Sequence, residues 1–219
     1  MKEHGTKVIG ISGGVASGKS LVARIFETWG IPVFRADDVG HEAFLDSKIR
    51  QSLHDIWGDT IFDPDGKVNR SRLADLVFGN TSRSSQDLRK LESLIHPYIF
   101  QKLDEFRHKM SVRACPFFVL DAPLLWETNL ADSCDVILFV DTPLARRQFF
   151  AAGRGWTPEE LAARQARQIS LNEKRKAAHW ILDNSGDKSF LESQLRSFLT
   201  QTFPEWEKME SQSTDFSCF

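Results

Sequence analysis

Eight residues near the start of the chain have the types and spacing of a phosphate-binding loop. They match the pattern GxxxxGK[ST] in full: Gly13-Gly14-Val15-Ala16-Ser17-Gly18-Lys19-Ser20. Glycines let backbone N–H groups approach phosphate oxygens, and a following helix adds the positive end of its dipole. In such loops the lysine (Lys19) serves the outer phosphates and the hydroxyl (Ser20) serves Mg²⁺. The segment therefore predicts a nucleotide-phosphate site.

Four aspartates follow predicted strands: Asp37, Asp38, Asp121 and Asp141. In a parallel sheet their strand ends share the edge that carries the phosphate loop. Phosphoryl transfer to a hydroxyl needs one carboxylate to take or orient the hydroxyl hydrogen and another to hold the metal. Asp38 is interpreted as a helix cap and Asp141 as structural, while catalysis is favoured for Asp37 chiefly because of the family resemblance described below. For Asp121, a metal-side role and a structural role both remain open.

A basic zone occupies residues 146–176, with eight cations and three acids, and the rest of the chain has a net charge of -7. Such a zone in an acidic chain favours a small anionic ligand over a long polyanion. Arg154, between Gly153 and Gly155, suits a hinged cover that brings a cation over the transferring group. Arg164 and Arg167 are interpreted as a solvated helix face, and the roles of residues 174–176 stay open.

The predicted elements alternate along the chain. Apolar runs predict strands at 7–12, 33–35, 117–121, 136–141 and 180–183, and helical spacing predicts helices at 19–29, 143–152, 158–168 and 188–203. Residues 38–110 are predicted to be mostly helical, with Pro97 expected to kink or interrupt the pattern. Strands separated by helices indicate an α/β fold with parallel pairing.

Composition excludes several classes of protein. The 219 residues are 41% hydrophobic and 26% charged, which are globular values. No apolar run approaches the ~20 residues of a membrane span, and residues 1–10 show no signal-peptide pattern. The cysteines (Cys115, Cys134 and Cys218) are widely spaced and predict reduced thiols in a cytoplasmic protein. A net charge of -2 argues against a nucleic-acid partner.

Several segments together resemble the dephospho-CoA kinase family, in the family's order from about residue 7 to 200. They are ISGGVASGKS (11–20), Ala36-Asp37, Gly66-Lys67-Val68-Asn69-Arg70, Leu94-Ile95-His96-Pro97, Asp121-Ala122-Pro123-Leu124-Leu125-Trp126-Glu127, and Glu173-Lys174-Arg175 before 181–186. The His-Pro and Pro-Leu-Leu-x-Glu segments are more specific than the phosphate loop. The family usually has Asp where this chain has Arg35, and Thr where it has Leu21.

The resemblance implies ATP-dependent phosphorylation of the ribose 3′-hydroxyl of dephospho-CoA, with Mg²⁺, as the last step of coenzyme A synthesis. It implies a P-loop NTPase-type three-layer α/β fold with a parallel five-stranded sheet, a helical acceptor-binding insertion and a small lid. We expect the core at 7–37, 113–145 and 178–203, the acceptor-binding part at 38–112, the lid at 146–177 and a frayed tail at 205–219.

The resemblance also implies roles for individual residues. Asp37 and Arg154 are the catalytic residues that the resemblance implies, beside Lys19 of the phosphate loop. The candidate metal-side residues are Ser20, from the loop pattern, and Asp121, from its position at a strand end. The implied ATP site comprises Gly13, Gly14, Ala16, Ser17, Gly18, Lys19, Ser20, Leu21, Asn184 and Gly186. The implied acceptor site comprises Asp37, Arg70, His96, Pro123, Leu124 and Glu127. His96 is equally suited to packing.

Two alternatives remain at this point. One is a nucleoside or nucleotide kinase with the same loop and lid, and the other is a module that binds nucleotide without catalysis. A guanine-reading NKxD sequence is not found. We expect a monomer, with an oligomer left open, and no membrane partner.

Overall fold

The structure of the protein is a computed structural model that describes residues 5–79 and 81–206. These residues divide into two compact units. The first unit is formed by the chain up to Arg35 together with the chain from Arg107 onward, and the second by Ala36–Phe106.

The first unit is built on a five-stranded parallel sheet with strand order β2-β3-β1-β4-β5. The strands are β1 (Lys7–Gly13), β2 (Val33–Arg35), β3 (Phe117–Asp121), β4 (Val136–Asp141) and β5 (Trp180–Asp183). The predicted fold class is confirmed, and only β1 differs in its bounds, by one residue. Strands that are buried on both faces of a sheet consist of nearly continuous apolar runs, so they can be predicted from the sequence.

Nine α-helices are present in the described residues. In chain order they are α1 (Lys19–Thr28), α2 (Ala36–Glu42), α3 (Ser47–Trp57), α4 (Arg70–Val77), α5 (Ser82–Val112), α6 (Leu144–Ala152), α7 (Pro158–Ala166), α8 (Leu171–Ala177) and α9 (Lys188–Thr202). Helix α8 was not among the predicted helices. Its capping box, in which Ser170 and Glu173 satisfy each other's backbone N–H groups, was the available signal.

The second unit is helical and has its own small core. Buried side chains from α3, α4 and the turns between them pack with partly buried side chains of α5, among them Leu53, Ile61, Leu73, Leu91 and Ile95. Pro97 was predicted to kink or interrupt this pattern, and the interruption is wrong, because α5 continues through Pro97. Proline removes a single helical hydrogen bond, and the apolar side chains before and after it hold the helix against the core.

The core of the first unit lies around the sheet, α1 and α9. Trp206 is buried there, with its ring centroid 6.2 Å from those of Phe117 and Trp29. The predicted frayed tail is therefore wrong at Trp206. Nothing in the sequence indicated this burial, because a single tryptophan in a polar segment produces no periodic apolar pattern. Residues 207–219, including Cys218, lie outside the described residues.

Cys115 and Cys134 are present as thiols. Within residues 5–79 and 81–206, no helix has both the length and the apolar character needed to cross a bilayer.

Candidate active site

The phosphate loop connects the end of β1 to the start of α1, as predicted. Gly18 has a φ of 89°, and a Cβ there would lie 2.7 Å from Nδ2 of Asn184, so only glycine fits. The first N–H groups of α1, beginning at Lys19, have no acceptor within the helix. They are therefore suited to bind an anion.

Two side chains support the loop from within the fold. Asn184 Nδ2 donates to the Ser17 carbonyl at 3.0 Å, and the Thr142 hydroxyl donates to the same oxygen at 2.7 Å. Asn184 is 1% exposed, and its Oδ1 has no hydrogen-bond partner among the described residues. At Gly186, a Cβ would lie 2.7 Å from the Phe190 ring, so this glycine permits close packing of the turn.

Lys19 lies against the beginning of its own loop. Its Nζ donates to the Gly14 carbonyl at 2.7 Å and to the Gly13 carbonyl at 3.3 Å. Burial and, to a smaller extent, the positive charge of Lys174 together lower the pKa of Lys19 to about 8, while Asp121 opposes the shift. The Lys19 ammonium group is therefore poorly solvated and would gain from an anionic ligand.

A buried ion pair lies near Lys19. Lys174 Nζ is 2.8 Å from Glu127 Oε1, and the lysine side chain is 1% exposed. Lys174 also donates to Gln168 Oε1 at 3.0 Å, and Glu127 Oε1 also accepts from the Ile169 amide at 2.9 Å. Glu127, which follows β3, is thereby joined to Lys174 of α8 and to Ile169, which lies between α7 and α8. The sequence analysis left the role of Lys174 open, because spacing does not show which cation of a basic run is buried.

Asp121 ends β3 and its carboxylate is held by a cation from β2. Arg35 Nη1 lies 3.1 Å from Asp121 Oδ2, and Arg35 Nη2 lies 2.8 Å from Glu27 Oε2. The charge of Asp121 reaches Lys19, whose pKa it raises. The ion pair with Arg35 gives Asp121 a structural role. Its carboxylate also carries the negative charge that a metal ligand requires.

The guanidinium of Arg154, which was predicted to cover the nucleotide, lies over the ring of Trp156. The guanidinium of Arg154 lies 5.4 Å from the Trp156 ring centroid, and that of Arg164 lies 4.2 Å from the same ring. Trp156 packs in an apolar cluster that includes Ala16 of the phosphate loop. The charge of Arg154 reaches Lys19 and lowers its pKa. Arg164 is exposed to solvent, as predicted. Its guanidinium also stacks on the Trp156 ring, which the sequence did not indicate.

A second contact joins α7 to the phosphate loop. The amide oxygen of Gln165, on α7, accepts hydrogen bonds from the Val15 amide and from Arg147 Nη1, each at 3.0 Å. Neither Gln165 nor Arg147 was singled out from the sequence. No motif could have identified them, because they are 18 residues apart and meet only through the packing of α6 and α7.

Asp141, at the end of β4, accepts from Arg175 Nε at 3.0 Å and so connects the strand to α8. In the segment after β3, Leu124 is 42% exposed, and the Trp126 indole donates to the Ser12 hydroxyl at 2.8 Å. Pro123 belongs to the same segment, a turn that begins directly after Ala122.

The remaining predicted residues lie in the helical unit. Asp37 is in the first turn of α2, and His41 lies one turn later on the same face. Arg70, the first residue of α4, places Nη2 2.9 Å from His41 Nε2. His96 is half-buried on α5, next to residues that pack in the core of this unit. Lys19, Asp121, Glu127 and Arg154 thus come together in one unit, while Asp37, Arg70 and His96 belong to the other.

The fold and this arrangement define a class. A parallel sheet whose first strand leads through a phosphate loop into a helix, with α6 and α7 packed on that loop, is the architecture of a P-loop kinase.

Comparisons with known proteins narrow the class. The sequence model of the dephospho-CoA kinase family matches residues 7–189. A dephospho-CoA kinase of Rhodopirellula baltica is 38% identical over 198 residues, covering 89% of this chain and 92% of the relative. One from a Synechococcus strain is 35% identical, covering 88% and 91%. The chain belongs to the dephospho-CoA kinase family, whose members are transferases that use ATP.

Solved structures agree with this fold. A Thermus thermophilus protein superimposes with a TM-score of 0.77 at 31% identity, covering 90% of this chain and 98% of its own. A dephospho-CoA kinase of Campylobacter jejuni superimposes with a TM-score of 0.67 at 21% identity, covering 89% and 96%, and shows the shared fold.

Proposed function

We propose that this chain transfers the terminal phosphoryl group of ATP to the ribose 3′-hydroxyl of dephospho-CoA, producing coenzyme A and ADP. The observation that carries the proposal is the poorly solvated Lys19 on a complete phosphate loop, in a chain of this family. Burial makes the Lys19 ammonium group costly until a phosphate compensates its charge. Phosphoryl transfer is catalysed mainly by such positioned positive charge.

Each unit has its own part in the proposed reaction. In the first unit, Lys19 and Arg154 stabilise the negative charge that develops on the transferring group. In the helical unit, Ala36–Phe106, the Asp37 carboxylate takes the proton of the attacking hydroxyl. We assign acceptor binding to this unit. The assignment is supported by His41, which lies one turn after Asp37 on α2, and by Arg70 of α4, which contacts His41. The lid comprises residues 146–177.

The acceptor-site residues proposed in the first unit are Pro123, Leu124 and Glu127, and a different observation supports each part of this assignment. Pro123 and Leu124 follow β3 directly, and the exposed Leu124 side chain offers apolar surface to the pantetheine arm. Glu127 is held by Lys174, so we propose that it acts on the acceptor through the position of this segment. His96 remains a proposed acceptor residue of the helical unit.

The nucleotide is proposed to bind with Mg²⁺. Such ions take one or two protein groups in addition to substrate phosphates and water. The exposed Ser20 hydroxyl at the start of α1 and the Asp121 carboxylate fit that requirement. The ion would supply further positive charge to the phosphate oxygens. Adenine is proposed to lie at the turn that contains Asn184 and Gly186.

We also propose a cytoplasmic monomer that acts on this small molecule without a nucleic-acid partner. The buried thiol Cys115 and the ordinary net charge of -2 support this proposal.

An acceptor panel tests the proposal. Purified protein is incubated with ATP, Mg²⁺ and dephospho-CoA, or with nucleosides and nucleotides in its place, and products are separated by mass and by sensitivity to a 3′-nucleotidase. Formation of a 3′-phosphorylated product from dephospho-CoA is expected. Phosphorylation of nucleosides without dephospho-CoA would indicate the alternative kinase, and ATP binding without any product would indicate a binding module.

A further inference from the structure

The Gln165 amide oxygen occupies an unusual position, because its two hydrogen-bond donors are groups that suit a phosphate. One donor is the Val15 backbone N–H of the phosphate loop, and the other is the guanidinium of Arg147, each at 3.0 Å. A backbone N–H and a guanidinium that converge on one oxygen are typical donors for a phosphoryl oxygen. Gln165 presents them with a neutral carbonyl-type oxygen instead.

Arg147 is buried beside the loop without a paired carboxylate. The residue is 8% exposed, and its Nη1 lies so close to Gly14 that a Cβ there would be 2.7 Å away. Among the described residues, no carboxylate lies within ion-pair distance of its guanidinium, and its Nε has no hydrogen-bond partner. Burial lowers the pKa of Arg147, and the more distant charge of Asp141, which is paired with Arg175, only partly opposes that shift. A buried arginine with a neutral partner is costly unless an anion joins it.

The position of Lys19 shows which phosphate this donor pair would meet. The lysine of this motif serves the outer phosphates. Its Nζ lies 2.7 Å from the carbonyl oxygen of Gly14, the residue that precedes Val15. The Val15 amide and Arg147 are therefore at the outer-phosphate end of the loop. The inner phosphates are served by the N–H groups at the start of α1.

We propose that Arg147 is a further catalytic cation that binds the terminal phosphoryl group of ATP, and that Gln165 holds its place until the nucleotide displaces it. An oxygen of the terminal phosphoryl group replaces the Gln165 oxygen on both donors. This releases the contact between α7 and the loop. The inference rests on the proposed use of the loop for ATP, but it does not depend on which acceptor is phosphorylated.

Nucleotide binding without an acceptor tests the inference, because ADP lacks the terminal phosphoryl group. We expect Arg147→Met to weaken ATP binding about tenfold and to change ADP binding less than about twofold. Gln165→Leu removes the competing oxygen, so ATP binding should tighten about fivefold while ADP binding stays unchanged. Arg167→Gln, at an exposed arginine of the same lid, is the matched control and should change neither.

A third variant covers the case in which Arg147→Met does not fold. Gln165→Glu preserves the side-chain volume and gives Arg147 a charged partner, so thermal stability should rise while ATP binding weakens about tenfold. Equal changes in ATP and ADP affinity in these variants, or no change in either, would overturn the inference. Normal ATP selectivity with no coenzyme A formed would instead contradict the proposed function.

Discussion

Lys174 Nζ lies 2.8 Å from Glu127 Oε1 in a place where the lysine side chain is 1% exposed. The other carboxylate oxygen of Glu127, Oε2, is buried and has no hydrogen-bond partner among the described residues. Both charges reach Lys19. The pair therefore joins α8 to the segment that follows β3, and its two charges also act on Lys19 of the phosphate loop.

Removing Lys174 should destabilise the protein strongly. In Lys174→Met, Glu127 is left as a buried charge without its partner, and we expect the free energy of unfolding to fall by about 3 kcal/mol. Urea denaturation measures this change. Lys176→Met, at an exposed position of the same helix, is the control and should lie within about 0.5 kcal/mol of wild type. Equal stabilities for the two variants would contradict the importance of the buried pair.

ATP binding should take up a proton at alkaline pH. The pKa of Lys19 is lowered to about 8, so at pH 8.5 roughly three quarters of the lysine is neutral before binding. The phosphates raise that pKa again. We therefore expect ATP binding to weaken as the pH rises above 8, with roughly three quarters of a proton taken up at pH 8.5. Calorimetry in buffers of different ionisation enthalpy measures the uptake, which Lys19→Met should abolish.

Asp37→Asn should separate catalysis from nucleotide binding. Loss of the proposed base lowers kcat by about 10²- to 10⁴-fold, while ATP affinity stays within about twofold because the carboxylate acts on the acceptor. The neighbouring Asp38→Asn is the control and should retain most of the turnover. Steady-state rates of coenzyme A formation, together with ATP titrations, provide both quantities. Full activity in Asp37→Asn would rule out the assigned role.

Asp121→Asn should change the metal requirement. If Asp121 helps to hold Mg²⁺, half-maximal activity should need about tenfold more Mg²⁺. Glu27→Gln alters the other ion pair of Arg35 and leaves Asp121 in place, so the Mg²⁺ requirement should stay the same. A parallel shift in both variants would assign Asp121 to the support of Arg35 instead. Rates measured across a Mg²⁺ titration distinguish these results.

The central architecture could be predicted because its signals are local. The strands that bury both faces appear as apolar runs, and the phosphate loop depends on glycine conformations and a helix start within a few residues. Lys19 and Ser20 follow directly from that motif. Helix α8 also carried a local signal, the Ser170–Glu173 capping box, although the sequence analysis did not use it.

The contacts around the site could not be predicted from the sequence, because they form only when distant segments pack together. Sequence spacing does not show that Arg35 pairs with Asp121, that Lys174 is buried beside Glu127, or that Trp206 enters the core. Each contact joins residues far apart in the chain. The continuation of α5 through Pro97 has the same origin, since the helix packs against its unit on both sides of the proline.

The sequence by itself determined the five strands, the phosphate loop and the family to which the chain belongs. Only the tertiary structure decided which of the eight cations of residues 146–176 are buried, and it placed Arg147 and Gln165 on the Val15 amide. The physical reason is the separation along the chain of the residues that interact. Backbone conformation follows from neighbouring residues, but the burial of a charge depends on the side chains that distant segments bring around it.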